Sequence, residues 1–332
     1  MGRRGKIWIA AAGIAALAAG ALWWRGGAAP PPVLVSVGTG LPGGVYDAVG
    51  RSLAVLTGDA PVRVRAVATA ASVENVARVR AGELDAGFAL ADVAALSVQD
   101  SSPAAVTAGS EGVQDLQAVA RLYDNHVHLV VRAGSAYASI GDLSGARVSL
   151  GAESSGTEVI AERLLEIAGI AVGADAGARG LGETARLGLG DSVAALERGE
   201  IDAFFWSGGL PTDAITGLAG RMPIRLLDVS AALPELTARY GPFYAEAPIL
   251  ADTYAGVAPV RTVSVPSLLV VGSEMPDDVA AALARAVLDS REELARLHPA
   301  TYQLSPRTAV ATSPVPLHPG AARYYRDAKP FS

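Results

Sequence analysis

The chain reads as an α/β protein of two similar lobes around a cleft, and three observations predict it. A helix–strand module occurs twice, apolar strand runs alternate with helical patterns, and two strands run through glycine-rich turns into helices. The module is the most specific of the three. In Thr69–Asp92, Val73, Val76 and Val79 recur at helical spacing behind Ser72, which stands where an N-cap belongs. Ala81-Gly82 ends that helix, and Leu84–Leu90 follows as a short apolar strand ending at Asp92. The pattern returns 117 positions later, in Asp191–Ser207. Gly82, Glu83, Leu84, Asp85, Ala86 and Phe88 align with Gly199, Glu200, Ile201, Asp202, Ala203 and Phe205. Val76 and Val79 align with Val193 and Leu196. Two such lobes create a cleft, and open α/β folds bind ligands at the carboxyl ends of their strands.

Composition supports this class and narrows the function. The 332 residues suffice for two domains, and 51% apolar against 18% charged residues supply a sizeable core. Aromatics are only 5%, which suits α/β layers of small side chains. A net charge of −6 and no basic run after residue 6 argue against a nucleic-acid surface. The absence of cysteine removes disulfides, thiol catalysis, thiolate metal sites and a lipid-attachment cysteine.

The first residues read as a targeting segment. Arg3, Arg4 and Lys6 precede Ile7–Trp24, 18 residues without a charge. This is a signal peptide or an uncleaved signal anchor. As a helix it would span about 27 Å, barely a bilayer core. The basic flank places the N-terminus in the cytoplasm and the rest outside. Trp23-Trp24 suits an interface, and no A-x-A site follows the run; both favour an anchor. Pro30-Pro31-Pro32 reads as a stiff linker.

The elements then follow in order. Val33–Val37 is an apolar strand, Gly38–Gly44 a loop and Val45–Leu56 a helix, an arrangement that offers backbone N–H groups to an anion. The letters Gly38-x-Gly40-x-x-Gly43 also fit a dinucleotide fingerprint. The next strand, Val62–Val67, ends in Ala68-Thr69 instead of the acidic residue a ribose needs, so that reading is rejected. Ser97–Glu111 reads as a polar loop, and Leu116–Tyr123 and Val127–Val131 as strands. His126 and His128 share a strand face, but no third ligand stands nearby, and a half-buried face explains them better than a metal. Gly145–Leu150 is a strand, and Gly151–Thr157 opens a helix over Glu158–Ala168, repeating the first strand–glycine–hydroxyl–helix pattern. Ser155 or Thr157 suits a capping role, which can coexist with ligand contact. After the second module, Trp206-Ser207-Gly208-Gly209 fits a cleft wall. Pro211–Leu218 is a helix, Ile224–Val229 a strand, Ala247–Pro259 a loop, Val263–Val271 a strand and Pro276–Leu297 one long helix. His318–Tyr325 opens a last helix.

Six ordered motifs give the chain a resemblance. They are Gly38-Thr39-Gly40…Gly43-Gly44-Val45-Tyr46, Thr69–Asn75, Gly82–Ala86, Ser154–Thr157, Asp202–Trp206 and Leu317–Ala321. From about residue 33 to the C-terminus the chain resembles the solute receptors of TRAP transporters, TAXI family. The resemblance implies a type II periplasmic-binding-protein fold whose lobes close on a small carboxylate, such as glutamate, 2-oxoglutarate or a dicarboxylate. It implies delivery of that solute to a separate membrane permease. The implied domains are a signal or anchor with linker over 1–32, lobe 1 over 33–127 and 267–332, and lobe 2 over 128–266. The implied contacts are Thr39, Gly40, Gly43, Tyr46, Ser72, Asn75, Ser155, Thr157, Trp206 and Ser207. No cofactor, metal or nucleic acid is implied, and the location is extracytoplasmic. Two departures bear on the pocket. Ala70-Ala71 replace the family's glycines, and Asp47 stands where it would repel an anion if it pointed inward. A membrane-tethered sensor would use the same cleft. An enzyme would need a nucleophile elbow, thiol or metal cluster, none of which the sequence offers.

Overall fold

The computed structural model describes residues 31–99, 114–173 and 179–328. The run Ile7–Trp24 and most of the loop expected at Ser97–Glu111 lie outside them. The chain divides into two units, Met1–Pro32 and Val33–Ser332. In the second, the described strands are β1 Val33–Gly38, β2 Val62–Val67, β3 Ala86–Leu90, β4 Leu116–Arg132, β5 Arg147–Ser149, β6 Glu183–Ala185, β7 Ala203–Gly208, β8 Ile224–Leu226, β9 Ala245–Ile249 and β10 Val260–Gly272. The helices are α1 Val45–Leu56, α2 Ser72–Arg80, α3 Ala91–Gln99, α4 Gly156–Ile167, α5 Leu189–Arg198, α6 Asp213–Arg221, α7 Leu233–Tyr240, α8 Asp277–Asp289, α9 Arg291–Leu297, α10 Pro306–Ala309 and α11 Pro319–Asp327.

The strands form one sheet in the order β2-β1-β3-β10-β4-β7-β5-β6, with β8 on β4 and β9 on β10. This order contains the same unit twice. In β1-α1-β2-α2-β3 the first strand pairs in parallel with the second and third, and the third meets the antiparallel β10. In β5-α4-β6-α5-β7 the pairing is the same, and the third strand meets the antiparallel β4. The two long strands join the halves. They pair with each other where Ser264, Val265 and Pro266 face His126, Asn125 and Asp124.

The repeated module has a physical role. Asp85 Oδ2 accepts from Ser36 N–H at 2.7 Å and from the Ser36 hydroxyl at 2.6 Å. Asp202 Oδ2 accepts from Arg147 N–H at 2.9 Å, and Arg147 also grips both of its carboxylate oxygens. Each aspartate therefore ties the start of a third strand to the first strand of its half. Each helix before it is followed by a left-handed glycine, Gly82 (φ 70°) and Gly199 (φ 75°), which turns the chain back onto the sheet. The strands so placed are buried on both faces: all five residues of β3 are buried, and Phe88, Phe204 and Phe205 lie in the core.

Several expectations are corrected. Leu116–Tyr123 and Val127–Val131 are one 17-residue strand, because Asp124–His126 stays paired to β10. The long helix expected at Pro276–Leu297 breaks at Ser290 into α8 and α9. Ala245–Ile249 is a strand where a loop was expected from Ala247, its backbone paired to β10. Ser97 belongs to α3, not to a loop. Ser72 is the first residue of α2, not its cap; Ala71 holds the cap position.

Candidate functional site

Four helices start at one cavity. Each half contributes the two that follow its first and second strands. The walls include Gly44–Tyr46 at the start of α1, Ala70–Ser72 at α2, Ser155–Thr157 at α4 and Gly188-Leu189 at α5. Leu90 at the end of β3, Tyr123 and Asn125 of β4 and Trp206–Gly208 of β7 complete it, with Gly40–Pro42 and Ala152 at the turns. The cavity holds about 50 Å³, against about 10–15 Å³ needed for one water, so it suits a small solute. The first N–H groups of a helix lack intrahelical partners and carry partial positive charge, which favours an anion. No charged side chain lines the cavity among the described residues.

Seven of the ten expected contacts share this wall: Gly40, Tyr46, Ser72, Ser155, Thr157, Trp206 and Ser207. Thr39, Gly43 and Asn75 do not line it. Asn75 is fully buried and holds the loops behind the wall. Its amide donates to the carbonyls of Gly38, Thr39 and Phe88, and its Oδ1 accepts from Thr69. Thr39 donates to the Val67 carbonyl at 3.1 Å. Asp47 does not face the cavity; its carboxylate lies 2.8 Å from Arg51 Nη2. The alanine departures sit in the wall. Ala71 keeps a backbone that favours glycine, φ 94° and ψ −134°, and it lines the cavity.

Hydrogen-bond networks fix the aromatic walls. Tyr46 stacks on Phe88 with centroids 5.3 Å apart, and its hydroxyl accepts from Ser267 at 2.7 Å. Asn125 donates to Ser267 at 2.6 Å. Burial pushes the Tyr46 phenol above its usual range, so it is a neutral group at any working pH. Trp206 donates through Nε1 to Thr212 Oγ1 at 3.1 Å, and Thr212 N–H donates to Tyr254 Oη at 3.0 Å. Tyr254 in turn meets His128 Nε2 at 2.9 Å, and His128 Nδ1 meets the His126 carbonyl at 2.9 Å. A carbonyl only accepts, so Nδ1 carries the proton and Tyr254 donates to Nε2. Burial drives His128 down to about 3. This histidine holds the cavity wall, and among the described residues no group of three potential ligands is placed for a metal.

The halves meet beside the cavity. Glu74 N–H of α2 donates to the Ser154 carbonyl at 3.2 Å. Asp92 of α3 is fully buried; Arg163 of α4 reaches its Oδ2 at 2.5 Å, and Tyr244 donates to the same oxygen at 2.9 Å. Burial raises the Asp92 carboxyl, with Arg163 acting against it. Two wall hydroxyls, Tyr123 Oη and Ser207 Oγ, are buried and make no hydrogen bond of ordinary geometry.

The sequence reading missed Tyr123, Asn125, Gly188 and Leu189. The repeat contained the signal for the last two: its offset of 117 carries Ala71-Ser72 onto Gly188-Leu189. Tyr123 and Asn125 lie two apart on one strand, so they share a face.

Two parallel-sheet halves bridged by a pair of antiparallel strands, with helix N-termini around one cavity, make this a two-lobed periplasmic-binding-protein fold. The chain belongs to the NMT1-like family, whose model matches residues 37–328. Solved structures with the same fold include PhnD1 from Prochlorococcus marinus in complex with methylphosphonate. That likeness has a TM-score of 0.51 and 14% identity over 81% of this chain and 91% of that one. XAC2383 from Xanthomonas citri, bound to ATP, matches at TM-score 0.50 and 17% identity over 89% and 94%. The periplasmic binding protein BugD matches at TM-score 0.50 and 12% identity over 81% and 87%. Among the described residues no helix is long and apolar enough to cross a membrane.

Proposed function

We propose that the chain is the extracytoplasmic receptor of a TRAP-type secondary transporter, held at the membrane by residues 7–24, and that it binds a small carboxylate between its lobes. The observation that carries the reading is the convergence of four helix N-termini, two from each half, on one small cavity. The ligand contacts are Gly40, Tyr46, Ser72, Ser155, Thr157, Trp206 and Ser207. Thr39 and Asn75 shape the loop behind them. The lobes are 33–127 with 267–332, and 128–266, and they close about the paired segments Asp124–His126 and Ser264–Pro266. Closure expels water, and charge-assisted bonds to the carboxylate strengthen in the dry site. The closed solute is then handed to a membrane permease.

The test is the melting temperature of the purified chain against a panel of carboxylates. A ligand at about 100 times its dissociation constant adds about 2.7 kcal/mol, which is several degrees at roughly 2–4 °C per kcal/mol. A saturable rise with a carboxylate supports the receptor. A flat response across the panel, from a folded sample, contradicts it. Co-purification with a multi-span permease supports transport; recovery with a membrane signalling protein instead favours a tethered sensor using the same cleft.

A further inference from the structure

The four helix starts are not equally free. At α2, Glu74 Oε2 already accepts from Ala70 N–H at 2.6 Å. At α4, Ser155 Oγ accepts from Glu158 N–H at 3.1 Å, and Glu158 Oε2 accepts from Ser154 N–H at 2.7 Å. Each of these two ends is served by a carboxylate of the chain itself. The starts of α1 and α5 differ: their first turns hold Asp47 and Asp191, but Asp47 is paired with Arg51, and neither aspartate lines the cavity. Their cap residues, Gly44 and Gly188, offer no side-chain cap. They come from opposite halves, and Leu41 of the α1 turn packs on Gly188: a Cβ there would lie 2.8 Å from Leu41 Cδ1.

The charge available follows from this. A free helix N-terminus acts as roughly half a positive charge, so two such ends supply about one unit. No Lys, Arg, His, Asp or Glu lines the cavity among the described residues. The nearest buried ion pair, Asp92 with Arg163, is closed on itself and on Tyr244. A second carboxylate in this cavity would be a buried charge without a partner, and so would an ammonium group. The rest of the wall mixes apolar Leu41, Val45, Leu90, Leu189 and Trp206 with the uncharged hydroxyls of Ser72, Ser155 and Thr157, each of which already accepts from a backbone N–H. Tyr123 Oη and Ser207 Oγ are a separate observation pointing to a ligand. Tyr123 is 1% exposed and Ser207 8%, and both line the cavity; Ser207 Oγ has no hydrogen-bond partner, and Tyr123 Oη has only the Ser267 hydroxyl near it, outside ordinary hydrogen-bond geometry. Buried polar groups left unpaired are costly, and a ligand oxygen would satisfy them.

We infer that the cavity selects a small monocarboxylate carrying one further uncharged oxygen, with its carboxylate between the starts of α1 and α5 and the second oxygen at Tyr123 and Ser207. This rests on the carboxylate-receptor reading and narrows it. It excludes dicarboxylates and amino acids, including those implied by the family resemblance.

The test is titration calorimetry of the full chain in detergent with lactate and pyruvate, succinate and 2-oxoglutarate, glutamate, and methanesulfonate. Lactate or pyruvate should bind at least about tenfold tighter than every dicarboxylate and glutamate, since one unpaired buried charge costs more than the roughly 1.4 kcal/mol that tenfold represents. The Tyr123→Phe and Ser207→Ala variants should each lose about five- to thirtyfold in affinity for that ligand while melting no lower than the parent without it. Tighter binding of succinate, 2-oxoglutarate or glutamate overturns this inference and leaves the receptor standing. Binding of methanesulfonate alone, or of none of these anions, overturns both. Full affinity in both variants overturns the placement of the second oxygen.

Discussion

The two halves share one scaffold and differ at the points where it meets the cavity. The pairing of β1, β2 and β3 matches that of β5, β6 and β7, and Asp85 corresponds to Asp202. At the start of the first helix, the first half has Gly44 without a cap and the second has Ser155 with one. At the start of the next helix the roles reverse. The first half has Ala71 beside the Glu74 carboxylate, and the second has Gly188 with an ordinary φ of −60°. One free helix end per half remains, and the two lie across the cavity from each other. The lesson is that the fold repeats the units that need register and burial, whereas the site depends on where the copies diverge.

The largest expected effect comes from separating the halves. Arg163→Met leaves the buried Asp92 carboxylate without a counter-charge, held only by the Tyr244 hydroxyl and the Val93 N–H. The cost should be about 3–5 kcal/mol, read as a fall of the order of 10 °C in melting temperature. Adding Asp92→Asn should recover part of it, because an uncompensated charge is then removed. An Arg163→Met variant as stable as the parent would mean that the contact between the halves contributes little.

Next come the paired aspartates. Asp85→Ala strands a buried Ser36 N–H and hydroxyl and should cost about 1–3 kcal/mol. Asp202→Ala should cost less, since Arg147 is 40% exposed and can turn to water. Equal losses in chemical denaturation would show that exposure of the partner does not govern the effect.

Acid acts on the second half's wall. Burial lowers all four histidines, His128 to about 3. The unfolded chain, with histidine near 6.5, then takes up protons that the native state refuses. Stability should therefore fall as pH drops from about 6.5 towards 3. Asp92 opposes this below its raised value, where the native state binds the extra proton. Melting curves across this range should be flatter for His128→Gln than for the parent; an identical slope would remove His128 from the account.

The smallest effect is at Ala71. Its glycine-like backbone costs about 1–3 kcal/mol, partly offset because glycine loses about 0.5–1 kcal/mol more chain entropy. Ala71→Gly should raise stability by about 1 kcal/mol and widen the cavity. Ala70→Gly, at a residue without positive φ, should not raise it.

Much of this was legible before any coordinates. The helix Val45–Leu56 and strand Val62–Val67 fall where their apolar spacing and flanking glycines put them. The repeat with offset 117 correctly pointed to duplicated α/β units. Seven residues named through the family resemblance line the cavity, five near helix starts and two, Trp206 and Ser207, on β7. The rest was hidden for identifiable reasons. Asn75 looks like a polar helix residue, and only the tertiary fold shows its amide filled by three carbonyls. Tyr123 and Asn125 lie where Asp124 interrupts the apolar run, so the strand seemed to stop. Short strands such as Glu183–Ala185 carry no pattern of their own and exist only by pairing with β5.

The most direct test uses Trp206. Of the four tryptophans, Trp8, Trp23 and Trp24 lie in the N-terminal run, so replacing those three with Phe leaves one reporter in the cavity wall. The account predicts a saturable change in its fluorescence on titration with lactate or pyruvate, lost in Ser207→Ala at the same concentrations. A carboxylate that binds by calorimetry yet leaves Trp206 fluorescence unchanged would contradict it, because the ligand would then lie outside this cavity.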